Sequence, residues 1–121
     1  MLAAVGQLCS TSNLSRNLKI AQSLIKRAAK AKAKLLFLPE ATDFIAPADQ
    51  VKHLSQALDQ PGGFVDSIRK QARESQCWVN VGVHEKGSDD KGRCYNTNLV
   101  SELSSGRYRQ AADSPNYVTA H

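Results

Sequence analysis

The sequence predicts an α/β fold built from βαβ units. Three observations carry this reading. An amphipathic helical pattern over 14–32 lies between two short apolar stretches. An unbroken apolar run, Leu35-Leu36-Phe37-Leu38, stops at Pro39-Glu40. A second helical pattern over 64–75 leads into a valine-rich strand at 78–83. Strand, helix and strand joined by short links place the strands parallel with a right-handed crossover, and the arrangement occurs twice.

Each element has a local reason. Residues 2–8 form a short apolar stretch, the first strand. Cys9-Ser10-Thr11-Ser12-Asn13 is rich in turn and capping residues, and Ser12 or Asn13 can accept the unpaired N–H groups of the next helix. In that helix Leu14, Leu18, Ala21, Leu24, Ile25 and Ala28 share one face, while Arg16, Lys19, Lys26, Arg27 and Lys30 take the opposite one. The run 35–38 reads as a strand covered on both faces, and Pro39, which cannot donate to a ladder, ends it. Residues 41–50 read as a loop and 51–58 as a short helix, followed by turn punctuation at Asp59-Gln60-Pro61-Gly62-Gly63. Phe64, Ile68 and Ala72 fall on one face of the 64–75 helix. The strand at 78–83 ends at His84-Glu85, and 86–93 is a polar loop. Over 95–100, Tyr95, Thr97 and Leu99 alternate against Asn96 and Asn98, the signature of a strand. Residues 101–106 are suited to a hairpin. The organisation expected is one partial domain over 1–110 and a divergent, irregular tail over 111–121.

Length and composition narrow the function. A chain of 121 residues is one domain or part of one. The net charge of +5 is local: residues 1–34 hold seven basic side chains and no acid, leaving nine basic against eleven acidic in the rest. These cations are the solvated side of an amphipathic helix, or alternatively a polyanion-binding face. Aromatic residues, at 6%, are too sparse for a nucleic-acid stacking platform, so nucleic acid is not an expected partner. The same segment has the composition of a mitochondrial transit peptide, but its opening residues have strand character. The cytoplasm is therefore the expected compartment, with the mitochondrion as the alternative. No apolar run approaches membrane-spanning length. Cys9, Cys77 and Cys94 are odd in number and widely spaced, which fits no disulfide framework and no zinc site. No metal or cofactor is expected, and no GxGxxG or P-loop is present.

One residue stands out as a candidate for chemistry. Glu40 is held just beyond the end of an apolar strand, the edge at which open α/β sheets bind ligands, and a rigid strand can present a general base there. The plain alternative is a solvated loop carboxylate. His84 and Glu85, at another strand end, either line the same crevice or form a hydrogen-bonded structural pair. Tyr95 and Asn96 are further pocket candidates or, with Thr97, fix strand pairing.

Taken in order, Gln7-Leu8-Cys9-Ser10, Asn17, Phe37-Leu38-Pro39-Glu40, Gly82-Val83-His84-Glu85 and Tyr95-Asn96-Thr97 resemble the N-terminal part of the nitrilase superfamily, the carbon–nitrogen hydrolases. The nearest likeness is to its Nit branch, which includes the amidase acting on deaminated glutathione and the omega-amidases. The resemblance covers about residues 2–110. It implies the N-terminal portion of an α-β-β-α sandwich, assembled through its outer layers, and a mechanism using glutamate, lysine and cysteine. Glu40 matches the glutamate, which takes the thiol's proton and later helps water to hydrolyse a thioester. A thiol attacking an unactivated amide needs such a base and a charge stabiliser.

The sequence also departs from the family. The lysine is expected after the hairpin, in a Tyr-x-Lys-x-His context, where this chain reads Arg107-Tyr108-Arg109-Gln110 and has no lysine beyond Lys91. None of the three cysteines sits in a strand-to-helix elbow. The expectation is an amidase-type domain for small amides, truncated before its lysine and cysteine and inactive alone. The alternatives are a non-catalytic remnant that associates with a full-length homologue, and a basic polyanion-binding protein. Expected partners are a small amide, were the domain completed, and a second copy or a full-length homologue. Half a two-sheet sandwich would also leave an apolar sheet face without its partner.

Overall fold

The structure is a computed structural model. It describes residues 1–88 and 93–101, and the backbone of 108–112 and 117–118. The elements are β1 (Ala3–Val5), α1 (Leu14–Lys30), β2 (Leu35–Phe37), α2 (Ala48–Leu54), α3 (Phe64–Ser75), β3 (Trp78–Lys86), β4 (Cys94–Ser101), β5 (Tyr108–Ala112) and β6 (Tyr117–Val118). One sheet runs in the order β1-β2-β3-β4-β5, with β6 also on β4. The pairs β1–β2 and β2–β3 are parallel, and both crossovers are helical, as the sequence predicts. The pairs made by β4 are antiparallel.

The helices form where the sequence places them because their caps are built in. The Asn13 side chain accepts from the backbone N–H of Arg16 at 2.9 Å and starts α1. The Gln56 side chain accepts from Phe64 N at 2.8 Å, and Asp66 accepts from Gly62 N at 2.9 Å, fixing the start of α3. Gln76, in the left-handed conformation, ends it. The two helices pack side by side on one sheet face. Ala21 and Ile25 of α1 and Ile68 and Ala72 of α3 meet Leu36, Val79, Val81, Val83 and Leu99 in the core. Each large aliphatic group enclosed there contributes about 1.5–3 kcal/mol.

Three expectations need correction. The run 35–38 is covered on one face only: Leu36 is 2% exposed, but its neighbour Phe37 is 41% exposed. Alternate strand residues point to opposite faces, and α1 and α3 lie on one of them. Val5 at 84% and Trp78 at 37% mark the open face. Second, α2 lies earlier than 51–58 and stops at Leu54. Ser55 turns extended, and Gln56 bridges to Glu85 at the end of β3 while its carbonyl accepts from Lys86 N at 3.0 Å. The edge of β3 thus captures residues that helical periodicity alone would keep in a helix. Third, the tail over 111–121 is not wholly irregular: 111–112 complete β5 and Tyr117–Val118 form β6. The open edge of β4 supplies the N–H and C=O groups that pair with them. The hairpin expected at 101–106 lies, from 102 on, outside the described residues.

No helix among the described residues is long and apolar enough to cross a membrane.

Candidate active site

The turn that carries Glu40 is tied to β3 by its backbone. Leu38 N donates to Asn80 O at 2.8 Å, continuing the parallel pairing beyond β2. Pro39 breaks the ladder, and its carbonyl accepts from Gly82 N at 3.3 Å and from Thr42 Oγ1 at 2.7 Å. Thr42 N then donates to Gly82 O at 2.9 Å. Between these anchors Ala41 adopts φ 53°, a conformation a non-glycine residue takes up only when its surroundings impose it. The chain therefore passes directly over Gly82, on the open face of the sheet. A Cβ at that position would lie 2.7 Å from Glu40 Cα, so the approach requires glycine.

The carboxylate of Glu40 is oriented from the next strand. Asn96 Nδ2 donates to Glu40 Oε1 at 3.0 Å. No other hydrogen bond to this carboxylate is made among the described residues. The two side chains share a cleft of about 290 Å³ with Leu38, Asn80, Gly82 and Asn98. It is open on one side and floored by β3 and β4.

Behind the turn lies a buried polar clamp. Asp43, 3% exposed, accepts through Oδ1 from Phe44 N at 2.9 Å and through Oδ2 from His84 N at 2.9 Å. His84 Nδ1 lies 2.9 Å from Asp43 Oδ1, within hydrogen-bond distance. The imidazole stacks on Phe44 with ring centres 4.2 Å apart. The fully buried Asn17 donates to Asp43 O at 2.9 Å and to Thr11 O at 2.7 Å, and accepts from Thr11 N at 3.1 Å. Ser10 Oγ donates to Thr42 O at 3.1 Å. The loop after β1, the helix α1 and the end of β3 thus all hold the segment that begins at Glu40.

Of the residues singled out from sequence, Glu40 and Asn96 meet in one cleft. His84 turns instead into the clamp. Glu85 lies on the helix-covered side of the sheet and accepts from Thr97 Oγ1 at 2.6 Å. Consecutive strand residues face opposite ways, so His84 and Glu85 neither pair nor share a crevice. Tyr95 lies opposite Glu85 in the ladder, away from the cleft. Sequence reasoning missed Asn80, Gly82 and Asn98. Their signal was the period-2 pattern: Asn80 and Gly82 alternate with Val79, Val81 and Val83, and Asn98 follows Asn96 on the same face. It also missed Asp43, whose partners come from distant segments.

The cysteines are separate from this cleft. Cys77 is fully buried, and burial raises its thiol above the ordinary range, with Lys34 opposing weakly. Cys94 is buried and Cys9 exposed. Among the described residues no group of three or more His, Cys, Asp or Glu is gathered as a metal ion requires.

Comparison with known proteins places this geometry. Residues 2–111 match the carbon–nitrogen hydrolase family. The chain is 39% identical over 102 residues to the probable hydrolase nit2 of Schizosaccharomyces pombe, covering 84% of this chain and 36% of that protein. It is 42% identical over 91 residues to the human deaminated glutathione amidase, covering 73% and 27% respectively. The crystal structure of the Caenorhabditis elegans NitFhit protein superposes with a TM-score of 0.79 at 31% identity, over 88% of this chain and 26% of that one. The chain thus spans about a third or less of the length of these relatives. Its sheet with helices on one face is the N-terminal portion of the nitrilase-type sandwich, and the chain belongs to the carbon–nitrogen hydrolase family, in its Nit branch.

Proposed function

We propose that this chain supplies the glutamate-bearing sheet of an amidase-type hydrolase acting on small amides, with Glu40 as the general base. The observation that carries the reading is the Glu40–Asn96 contact at 3.0 Å, in a cleft on the open sheet face. The Asn96 N–H bond to one oxygen fixes the plane of the carboxyl group. A carboxylate held in this way can take the proton of an attacking thiol and later that of a hydrolytic water.

The thiol and the cation that would stabilise the tetrahedral oxyanion have no match in these residues. On this reading the 121 residues alone do not turn over an amide. The free cysteines suit a reducing compartment, and the cytoplasm is the one we propose.

The test is a chimera in which residues 2–101 of this chain replace the matching segment of the human relative. Ammonia release from a small primary amide is the readout. The chimera is expected to be active, and Glu40→Gln to lower kcat by about 100-fold or more. An unchanged kcat would refute the assignment of the base. Amide hydrolysis by the purified 121-residue chain would refute its inactivity.

A further inference from the structure

We infer that Thr42 is a positioning residue for Glu40: its buried hydroxyl closes the turn on which Glu40 stands and so sets where the carboxylate meets Asn96. The inference rests on the reading of Glu40 as the base and adds to it the group that holds the base in place.

Thr42 is fully buried, and each polar group it carries is committed. Its N–H donates to Gly82 O at 2.9 Å, on β3. Its carbonyl accepts from Ser10 Oγ at 3.1 Å, in the loop after β1. These two bonds fix the Thr42 backbone between separate parts of the fold. The third bond runs the other way: the hydroxyl donates to Pro39 O, three residues back, at 2.7 Å. Threonine hydroxyls form such local bonds to the backbone and thereby select a turn over a continued strand. The only residues enclosed by this one are Glu40 and Ala41.

The geometry gives the hydroxyl the larger share in holding that turn. Pro39 O also accepts from Gly82 N, but at 3.3 Å, longer than is usual for an N–H donor, whereas 2.7 Å is the favoured distance for a hydroxyl. Ala41, at φ 53°, is the strained step. Without the hydroxyl bond Ala41 can relax, and Glu40 swings with it. Among the described residues the Glu40 carboxylate has one hydrogen bond of its own, from Asn96 at 3.0 Å. The direction in which it leaves the chain is therefore set by the turn. Thr42 does not line the cleft. It acts on a ligand there through Glu40 and not by touch.

The experiment is Thr42→Val, which keeps the shape and removes the hydroxyl, in the chimera described above. It is expected to lower kcat by about tenfold and to leave KM within about twofold, because a displaced base costs turnover and not binding. Thr42→Ser, which keeps the hydroxyl, should recover most of the loss. In a Glu40→Gln background Thr42→Val should lower kcat no further, since its effect passes through that carboxylate. A parental kcat for Thr42→Val overturns the inference. So does a serine variant as slow as the valine one, and so does the same tenfold loss on top of Glu40→Gln. NMR of the 121-residue chain decides the point independently of turnover. There the Asn96 side-chain NH₂ signal should move on Glu40→Ala, and in a chain already carrying Thr42→Val that response should be lost. An Asn96 signal indifferent to Glu40→Ala in the parent overturns the inference, as does a response that survives Thr42→Val. Thr42→Ala, which adds no bulk, replaces the valine variant should that one fail to fold, with the same expected results. A chimera indifferent to Glu40→Gln sinks the base, and the Asn96 signal then decides whether Thr42 still positions the Glu40 side chain.

Discussion

Replacing Gly82 by alanine gives a sign test of how Glu40 is held. In a strand interior, alanine is ordinarily preferred to glycine by roughly 0.5–1 kcal/mol, because glycine loses more freedom on folding. Here the structure requires the opposite. The added Cβ would lie 2.7 Å from Glu40 Cα, 3.2 Å from Pro39 O and 3.4 Å from Glu40 N. Carbon atoms in contact settle about 3.5–4.0 Å apart, so the Glu40 turn must retreat by roughly 1 Å. All three obstructing atoms are backbone, and no side-chain rotation relieves the overlap. The retreat stretches the bonds Thr42 N to Gly82 O, at 2.9 Å, and Gly82 N to Pro39 O, at 3.3 Å.

Overpacking costs about 1–3 kcal/mol, and each weakened hydrogen bond up to about 1 kcal/mol. After allowing for the gain from lost glycine entropy, Gly82→Ala should destabilise by about 2–3 kcal/mol. Urea unfolding followed by the fluorescence of Trp78, the single tryptophan, measures this directly. The Asn96 side-chain NH₂ signal should move as well, because the partner of its donor has shifted. Gly62→Ala is the control. Nothing lies within 4 Å of its added Cβ, but φ is 69°, so only conformational strain of about 1 kcal/mol applies. If Gly82→Ala proves as stable as the parent, or more so, with the Asn96 signal unmoved, the claim that Gly82 positions Glu40 is wrong.

Other outcomes follow from the same contacts. Asp43→Ala removes the acceptor of Phe44 N and His84 N and the partner of His84 Nδ1; a loss of about 3–5 kcal/mol is expected in urea, and a change below about 1 kcal/mol would show the clamp to be dispensable. The Gly62 N–H bond, with Lys70 beside it, holds the Asp66 carboxyl below its usual range. A depressed carboxyl stabilises the fold above its unfolded pKa and ceases to as pH falls through the folded one, so the deficit of Asp66→Asn, about 0.5–1 kcal/mol at neutral pH, should close below about pH 4. Iodoacetamide should label the exposed Cys9 promptly and the buried Cys77 only on unfolding, as peptide mass spectrometry would report. Val5→Lys, at an 84% exposed position on an edge strand, should reduce self-association in light scattering without lowering the urea midpoint.

Much of this arrangement is legible in the residues because its causes are local. The spacing of Leu18, Ala21, Leu24, Ile25 and Ala28 predicts α1, and the Pro39 stop predicts where Glu40 must stand. What was illegible depends on long-range partners. That residues 55–58 leave the helical pattern depends on the edge of β3, reached through Gln56 and Glu85. That His84 serves Asp43, and not Glu40, depends on a turn forty-one residues away in sequence. For Glu85, adjacent to it, the sequence leaves open a shared crevice or a structural pair with His84, and the pleat, which sends the two side chains to opposite faces, allows neither. The period-2 rule contained that correction before any coordinates did.

The apolar run 35–38 teaches a different point. Four large residues in succession say that a strand lies among apolar groups, but not that those groups belong to the described part of the sheet. Leu36 meets α1 and α3, while Phe37 stands on the open face with Val5 and Trp78. That face also holds Gly82, Asn96, Asn98 and the turn of Glu40. In an α-β-β-α sandwich the sheet face opposite its helices packs on a second sheet. A layer covering Val5, Phe37 and Trp78 would therefore close the Glu40 cleft in the same step and exclude water from it. Exclusion of water lowers the effective dielectric and strengthens every interaction of the carboxylate. The exposed apolar residues and Glu40 are thus parts of one surface.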